Sequence, residues 1–291
     1  MAKILSFGSL NIDYVYTLDH IVNHGETIAS NNLELFCGGK GLNQSIALKK
    51  AGANVYHAGN VGKNGQMLLD ALKAASVNVD NIEKLDVDNG HAIIQVDKCG
   101  ENSIILHKGS NELVTRSHID KTFENFSCGD FLVLQNEINN LQYIMEKAHE
   151  KGIKIVLNPS PITDEIYDLP LEYVDYFVLN EIEAKQILNI DDDEDLLLNF
   201  SKKFNKAHIV LTLGSKGSCY KYKDTMIIQD IFETEVVDTT AAGDTFLGYF
   251  ISSVSSGKTP KEALELSAKA SSIAISKKGA SNSIPNIEDI E

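Results

Sequence analysis

The sequence predicts an α/β fold in which a central, mainly parallel sheet is flanked by helices and accompanied by a small second β-sheet. Three observations predict it. Short apolar runs alternate with amphipathic helical segments along most of the chain. Two stretches break this alternation without a following helix, and two long helical segments close the chain. Strands that alternate with helices at this spacing form crossover units and a parallel sheet.

The predicted strands of the central sheet are short and apolar, and they occupy residues 4–7, 55–58, 131–134, 153–157, 176–179 and 209–213. Helical patterns are found between or after them, over residues 42–51, 66–75, 141–151, 181–188 and 196–204. The final helices are expected near 243–255 and 260–277, with Pro260 in a first turn, where proline is tolerated. The acidic run at 191–195 is predicted to be a solvated helix start, because the spaced ligands of a calcium loop are missing.

The two irregular stretches predict a β appendage. Residues 91–107 contain two strand patterns around a polar turn with Gly100, which is typical of a hairpin. Residues 14–36 have weaker strand signals around Gly25. We therefore expect a core made of residues 1–13, 37–88 and 109–291, covered by a β lid made of residues 14–36 and 89–108.

Composition limits the classes of partner. The 291 residues include 26 lysines and arginines against 41 acids, a formal net charge of −15. The electrostatic field of so negative a protein repels nucleic acids and anionic membranes, so neither is expected as a partner. The four scattered cysteines form no C-x-x-C pair, and we predict buried, reduced thiols. The N-terminus lacks a signal-peptide pattern and no long apolar run follows, so a cytoplasmic protein is expected.

The segment VVDTTAAGDTF at 236–246 carries the first chemical signal. An apolar run ends at Asp238, and small residues then lead into a helical pattern. Successive N–H groups at such a helix start form an anion pocket, and the small side chains at 241–243 leave room for a phosphate. Asp244 on the first turn could act as a general base for an attacking hydroxyl. It could equally be a simple helix cap, and the segment alone does not decide between the two.

Two common nucleotide motifs are poorly matched. A Walker A loop requires G-x-x-x-x-G-K-[ST], but Ser252 occupies the first glycine position before Gly257-Lys258-Thr259. The first strand is followed by one glycine where the dinucleotide fingerprint requires three. A P-loop enzyme and a Rossmann dehydrogenase are therefore disfavoured.

Four separated motifs resemble those of a known family. They are GSLNID at 8–13, GGKGLNQ at 38–44, DTTAAGD at 238–244 and KKGASNSIP at 277–285. In this order and spacing, they are similar to the signatures of the ribokinase branch of the PfkB-type carbohydrate kinases. The similarity extends over essentially the whole chain. It implies a ribokinase-like fold with a β lid.

The resemblance implies a sugar site built from amide, carboxylate and ammonium groups, which suit the hydroxyls of a furanose. The implied contacts are Asn11, Asp13, Gly39, Lys40, Asn43, Glu137 and Asp244. The resemblance also assigns Asp244 as the base and the three small residues before it as an anion hole for the phosphoryl group, namely Ala241, Ala242 and Gly243.

The same resemblance implies sites for ATP, Mg²⁺ and a monovalent cation. Six residues are implied near the nucleotide: Asn180, Glu183, Thr212, Gly214, Ser215 and Gly217. Glu183 would also hold Mg²⁺ through water, which fits a hard cation. A potassium-type ion is implied at a site formed by Asp238, Thr240, Ala274, Lys277, Gly279 and Ser283.

The expected reaction is transfer of the γ-phosphoryl group of ATP to the 5-hydroxyl of D-ribose. The chain departs from the family pattern at Leu42, Asn136, Leu247 and Tyr249, which concerns the identity of the sugar more than the reaction. A related kinase for deoxyribose, pseudouridine or a ketose is therefore an alternative, and a silent sugar-binding protein is another. Because members of this branch pair through the lid, a homodimer is expected.

Overall fold

The computed structural model describes residues 2–191 and 195–290. It has a nine-stranded sheet flanked by helices and a separate four-stranded sheet, which confirms the predicted fold class. Part of the predicted helix start at 191–195 lies outside the described residues.

The large sheet contains nine strands, in chain order β1 (Lys3–Phe7), β4 (Asn54–Val61), β5 (Asn78–Lys84), β8 (Phe131–Gln135), β9 (Lys154–Asn158), β10 (Val174–Asn180), β11 (His208–Thr212), β12 (Ser218–Tyr222) and β13 (Thr225–Gln229). Their spatial order is β13-β12-β11-β10-β9-β8-β1-β4-β5. The seven strands from β11 to β5 pair in parallel, whereas β12 and β13 add an antiparallel hairpin at one edge.

Helices cover both faces of this sheet. They are α1 (Lys40–Lys50), α2 (Gln66–Ala74), α3 (Arg116–Phe123), α4 (Leu141–Glu150), α5 (Glu181–Leu188), α6 (Leu196–Lys203), α7 (Ala242–Ser255) and α8 (Pro260–Ile275). Side chains from α1, α2, α7 and α8 pack into one hydrophobic cluster, and those from α3 to α6 pack into a second. Within residues 2–191 and 195–290, no helix combines the length and hydrophobicity needed to span a membrane.

The small sheet consists of β2 (Asn11–Thr17), β3 (Asn32–Gly38), β6 (Gly90–Val96) and β7 (Asn102–His107), in the order β3-β2-β6-β7. The predicted hairpin at 91–107 corresponds to the antiparallel pair β6 and β7. The central strands β2 and β6 run parallel, with Asn11 opposite Gly90. Strand β2 begins at Asn11, so residues 11–13, which were expected in the core, belong to the small sheet.

Two features differ from the sequence-based expectations. Helix α3 and strands β5, β12 and β13 were not among the predicted elements. The prediction that all four cysteines are buried is wrong, because Cys99 and Cys128 are exposed. Cys99 lies in the turn between β6 and β7, and Cys128 lies in the turn before β8, where the chain runs over the surface.

The topology indicates where a ligand binds. From β1 the parallel strands continue to β4 and β5 on one side, and from β8 they continue to β9, β10 and β11 on the other. Ligands of open α/β sheets bind beyond the carboxyl ends of the strands at the point where the order reverses. Here that point lies between β1 and β8, so the segments after Phe7 and Gln135 are expected to line the site.

Candidate active site

The segments after β1 and β8 meet at the start of α1. The Ser9 hydroxyl donates to the carboxylate of Glu137, and the backbone N–H of Lys40 donates to Glu137 Oε2 at 3.0 Å. The N–H of Gly41 donates to Ser9 Oγ at 3.3 Å. A carboxylate at this position satisfies a free N–H group of the first helical turn and interacts favourably with the helix dipole. Glu137 is thereby fixed beside Lys40.

Asp244 lies in the first turn of α7 and is buried, with 7% of its surface exposed. Each of its carboxylate oxygens accepts a hydrogen bond from α1. Asn43 Nδ2 donates to Oδ2 at 3.2 Å, and Gln44 Nε2 donates to Oδ1 at 2.9 Å. The carboxylate is therefore held by two side chains of another element, which goes beyond the role of a simple helix cap.

A cavity of about 260 Å³ opens in front of Asp244. It is lined by residues from five stretches of the chain: Lys40, Asn158, Val178, Leu179, Asn180, Glu183, Thr212, Thr239, Ala241, Ala242, Gly243 and Asp244. Eight of these are site residues named from the sequence. Helix α7 begins at this cavity, after Ala241 in a left-handed conformation with φ of 60°. The N–H group of Ala242 donates to Thr239 O at 3.2 Å, whereas those of Gly243 and Asp244 lack intrahelical acceptors and can bind an anion there.

Lys40 carries the positive charge of the site. Burial disfavours the charged form of its ammonium group, but the nearby carboxylates of Asp244, Glu137 and Glu183 outweigh this effect and raise the pKa of Lys40. For Glu137, burial is the stronger influence. It raises the pKa of this carboxyl group, although the charge of Lys40 acts in the opposite direction. The site thus holds three carboxylates around one ammonium group, which remains charged at neutral pH.

Asn11 and Asp13 project from β2 toward the same region. Asn111 Nδ2 donates to Asn11 Oδ1 at 2.7 Å, which leaves the Asn11 amide nitrogen as a donor. Asp13 lies against Gly38, where an added Cβ would be 2.0 Å from Asp13 Oδ2. Gly39 precedes α1 with φ of 90°, a conformation that favours glycine. Two of the glycines in GGKG therefore meet a requirement of the local backbone and side-chain packing.

The pKa of the Asp13 carboxyl group is strongly shifted. Burial, assisted by the neighbouring Glu137 carboxylate, raises the pKa of Asp13 from 3.8 to about 7. The folded chain therefore retains a proton that the unfolded chain releases near the lower value. It follows that the free energy of unfolding decreases as the pH rises from about 4 to about 7 and then levels off.

An Asp13→Asn variant should lose this part of the pH dependence, since its amide does not titrate. We expect the variant to gain stability relative to the wild type as pH rises from about 5 to about 8, measured by urea denaturation. Asp86→Asn is a suitable control, because the Asp86 side chain is 94% exposed. A stability difference that is the same at every pH would contradict the expectation.

The six residues expected near the nucleotide divide into two groups. Asn180 and Glu183 form a capping box at α5, in which Glu183 Oε2 accepts from the Asn180 N–H at 3.0 Å and Asn180 Oδ1 accepts from the Glu183 N–H at 2.9 Å. Both line the cavity, and burial raises the pKa of Glu183. Thr212 also lines it. Gly214, Ser215 and Gly217 form the tight turn between β11 and β12, beyond the described lining.

The residues expected around a monovalent cation come from two segments. Asp238 joins them, because its oxygens accept from the N–H groups of Thr240 and Gly279, each at 2.9 Å. Burial opposes ionisation of Asp238, but a hydrogen bond from the Thr240 side chain and these two backbone hydrogen bonds prevail and lower its pKa. Ala274 accepts from the Lys277 N–H, and the Ser283 hydroxyl donates to Ala280 O at 2.8 Å. In the described part of the chain, no group of three or more His, Cys, Asp or Glu side chains could hold a metal.

The departures from the family pattern lie mainly behind the site. Leu42, Leu247 and Tyr249 belong to the hydrophobic cluster formed by α1, α2, α7 and α8, and the Tyr249 hydroxyl donates to Pro285 O at 2.8 Å. Asn136 Nδ2 donates to Pro161 O at 2.7 Å and to Thr163 Oγ1 at 3.1 Å. These side chains are accounted for by core packing and by contacts of a neighbouring loop.

Several functional candidates were not identified from the sequence, namely Ser9, Gln44, Asn111, Gln135 and Asn158. They hold other site residues through hydrogen bonds, and Asn158 also lines the cavity. Ser9 and Gln44 lie inside the motifs GSLNID and GGKGLNQ, so the motifs contained a signal for them. The other three are polar residues next to predicted strands or in a loop, with no distinguishing local pattern.

Comparison with known proteins gives consistent matches over the whole chain. The model of the pfkB family carbohydrate kinases matches residues 1–287. A ribokinase from Schizosaccharomyces pombe is 34% identical, covering 100% of this chain and 97% of its own. A deoxyribokinase from Salmonella typhi is 27% identical, with coverages of 98% and 96%. The structure of Arabidopsis thaliana ribokinase complexed with ribose and ATP has a TM-score of 0.87 at 27% identity, with coverages of 100% and 98%.

Proposed function

The chain belongs to the pfkB family of carbohydrate kinases, and we propose that it transfers the γ-phosphoryl group of ATP to the 5-hydroxyl of D-ribose. A full-length ribokinase relative above 30% identity supports this choice of substrate, as does the similarity to a ribokinase that was crystallised with ribose and ATP. Within the fold, the proposal depends mainly on the position of Asp244, which lines the cavity next to the start of α7.

In the proposed reaction, Asp244 accepts the proton of the sugar hydroxyl while that oxygen forms a bond to the γ-phosphorus. The bond from this phosphorus to the departing ADP breaks at the same stage. Such a base contributes about 10²–10⁴-fold to the rate. The free N–H groups at Gly243 and Asp244 bind the transferred group, Ala242 contributes a small side chain, and Lys40 adds a positive charge beside it. Ala241 contributes a small side chain that leaves the pocket open.

The sugar contacts proposed on the other side of Asp244 are Asn11, Asp13, Gly39, Lys40, Asn43 and Glu137. Two observations support this set. Asn43 bonds to Asp244 directly, and Glu137 and Lys40 are joined by a hydrogen bond. Among the described residues, Asn43 Oδ1 is a buried atom without a partner, so it is available to accept from a hydroxyl.

The nucleotide and cation assignments are also proposals. Asn180, Glu183, Thr212, Gly214, Ser215 and Gly217 would contact ATP, and Glu183 would hold Mg²⁺ through water. Magnesium supplies charge neutralisation on the phosphates, and a partly buried carboxylate facing the cavity suits that ion. A potassium-type ion would be held by Asp238 and the oxygens of Thr240, Ala274, Lys277, Gly279 and Ser283. The hydrogen bonds that Asp238 accepts from the N–H groups of Thr240 and Gly279 support this grouping.

A coupled assay of ADP release tests the proposal. The protein would be supplied with Mg²⁺-ATP and one sugar at a time: ribose, deoxyribose, fructose, ketogluconate or pseudouridine, each with and without potassium. We expect the highest kcat/KM with ribose and a further increase with potassium. Higher kcat/KM with another sugar would overturn the ribose assignment. Sugar binding without turnover on any of them would favour a silent binding protein.

The second candidate is a deoxyribokinase, favoured by the full-length relative with that name. The two substrates differ only in the 2-hydroxyl, so the discrimination depends on whether a polar group is paired with it. A site that hydrogen-bonds this hydroxyl rejects the analogue lacking it, because its buried polar groups remain unpaired. The ratio of kcat/KM for ribose and deoxyribose therefore decides between the candidates.

Asn111 bonds to the proposed sugar contact Asn11 and offers an indirect test of the sugar site. Asn111→Ala removes the hydrogen bond that orients Asn11, so we expect the KM for ribose to rise about 10-fold, with a smaller change in kcat. Asn139→Ala is a matched control, because Asn111 bonds to the backbone of Leu10 and Asn139 bonds in the same way to the backbone of Val114. An unchanged KM in the folded Asn111 variant would argue against Asn11 as a sugar contact.

We also propose that the small sheet is a lid, with the boundaries 14–36 and 89–108, and that two chains pair through it. Three apolar side chains on one face of this sheet are each at least 42% exposed: Leu33, Leu35 and Ile105. Exposed apolar patches of this kind mark interaction surfaces. The exposed free thiols of Cys99 and Cys128 support a reducing compartment, and we propose the cytoplasm.

Pairing through the lid predicts a mass of about twice 31.9 kDa in light scattering at micromolar concentration. Ile105→Lys should shift the mass toward the monomer, since a charge would enter an apolar contact. Ile228→Lys is a control of the same kind, because Ile228 is a similarly exposed residue on β13 of the large sheet. A monomeric wild type would contradict the pairing.

A further inference from the structure

Gln44 occupies a position directly behind the proposed base. Its amide nitrogen donates to Asp244 Oδ1 at 2.9 Å and to Asn158 Oδ1 at 3.2 Å, so both of its protons are used. Its amide oxygen accepts from Gln135 Nε2 at 2.7 Å. Gln44 and Gln135 are each 1% exposed. We propose that Gln44 and Gln135 form an amide relay that positions the Asp244 carboxylate for proton transfer.

The direction of every hydrogen bond in this relay follows from the charge on Asp244. An ionised carboxylate can only accept, so Gln44 must turn its nitrogen toward Asp244 and its oxygen toward Gln135. Gln135 must then present its own nitrogen to that oxygen. Its remaining oxygen has no hydrogen-bond partner among the described residues. The relay therefore ends at Gln135 and is matched to the ionised form of the base.

The fold provides a fixed location for both amides. Gln44 lies on α1, and Gln135 is the last residue of β8. Beside Gln135, an added Cβ on Gly8 would be 2.1 Å from the Gln135 amide oxygen, so the chain after β1 leaves space for this side chain only because it has glycine there. The base is thus aligned from the sheet through two buried side chains.

Gln44 differs from Asn43 in what it can affect. Asn43 belongs to the proposed sugar contacts, whereas Gln44 lies outside the described lining of the cavity. Loss of Gln44 should therefore change the orientation of the base without removing a sugar contact. This places the expected effect in kcat and leaves the KM for ribose unchanged. The inference rests on the proposed function, because it needs Asp244 to be the base.

The test compares Gln44→Met, Gln135→Met and the double variant in the ADP-release assay with ribose. We expect Gln44→Met to lower kcat about 10²-fold, since a small misplacement of a catalytic group has this cost. Gln135→Met should lower kcat less, and it tests the relay even if the other variant does not fold. Because Gln135 acts through Gln44, the double variant should have the kcat of Gln44→Met.

Two further variants separate the possible failures. Gln142→Met replaces an exposed glutamine of α4 that bonds to Glu146, and it should retain wild-type kcat. Asp244→Asn should be nearly inactive. If Asp244→Asn is nearly inactive, three results would overturn the relay and leave the base assignment intact. They are a wild-type kcat in Gln44→Met, a kcat in the double variant that equals the product of the two single losses, and an effect on KM in place of kcat. If Asp244→Asn keeps its turnover, the base assignment itself fails and the relay fails with it.

Discussion

Asp244→Asn is expected to reduce turnover about 10²–10⁴-fold while ribose binding stays close to that of the wild type. The amide has nearly the same shape as the carboxylate, but it cannot accept the proton of the sugar hydroxyl. The side chains proposed to contact the sugar from β2, α1 and Glu137 are all present in this variant. The new amide nitrogen would face a donor in the present arrangement, but Asn43 can turn its unpaired Oδ1 toward it and stay in the site. The loss should therefore appear in kcat, measured by ADP release, and hardly in the dissociation constant, measured by calorimetry.

Asp230→Asn is a control for the loss of one acidic charge, because Asp230 is exposed and lies outside the described cavity lining. It should retain wild-type turnover. Near wild-type turnover of Asp244→Asn would remove the base assignment. A large loss of ribose affinity would show instead that Asp244 mainly binds the substrate.

Gly41→Ala should strongly destabilise the fold. An added Cβ would lie 2.5 Å from Ser9 N, 2.6 Å from Gly8 C and 2.7 Å from Ser9 O. All three atoms belong to backbone, so relief requires α1 to move away from the segment after β1. Overpacking of this kind costs about 1–3 kcal/mol and sometimes more. We expect the upper end of this range in urea denaturation, because no flexible side chain can yield.

Gly243→Ala is the matched comparison, because the two substitutions add the same methyl group to helical glycines. Apart from its chain neighbours and the backbone of its own helix, no atom of the described chain lies within 4 Å of a Cβ at Gly243, so stability should stay the same or rise by about 1 kcal/mol from better helix propensity. Turnover should fall, since the methyl group enters the proposed phosphoryl pocket. Equal stability losses in the two variants would contradict the packing argument.

The repeating strand and helix signals predicted most of the large sheet, but weakly patterned elements were missed. Strand β5 has the sequence NVDNIEK, in which polar residues outnumber apolar ones because it lies at the edge of the sheet. Strands β12 and β13 are joined through Lys223, which adopts φ of 48° without being glycine. A turn with no glycine, proline or asparagine at its left-handed position gives little signal in the sequence.

The site shows a similar limit. The motifs led to Lys40, Asn43 and Asp244, because glycine and small residues around a charged side chain form a local pattern. Gln135 could not be identified in this way. Its role depends on facing Gln44, which is distant along the chain, and only the pairing of β1 with β8 brings the two together. Partners of a buried amide are a property of the tertiary structure.

The parallel pairing of β2 with β6 has a consequence for how the chain becomes active during synthesis. Asn11 cannot pair with Gly90 until β4, α2 and β5 have been synthesised, because these elements lie between the two strands in the sequence. Asp244 emerges later still, after the thirteen described strands. A ribosome therefore releases the base only when the strands of both sheets have been translated. Nascent chains that stop before α7 should fold part of the sheet and yet phosphorylate nothing.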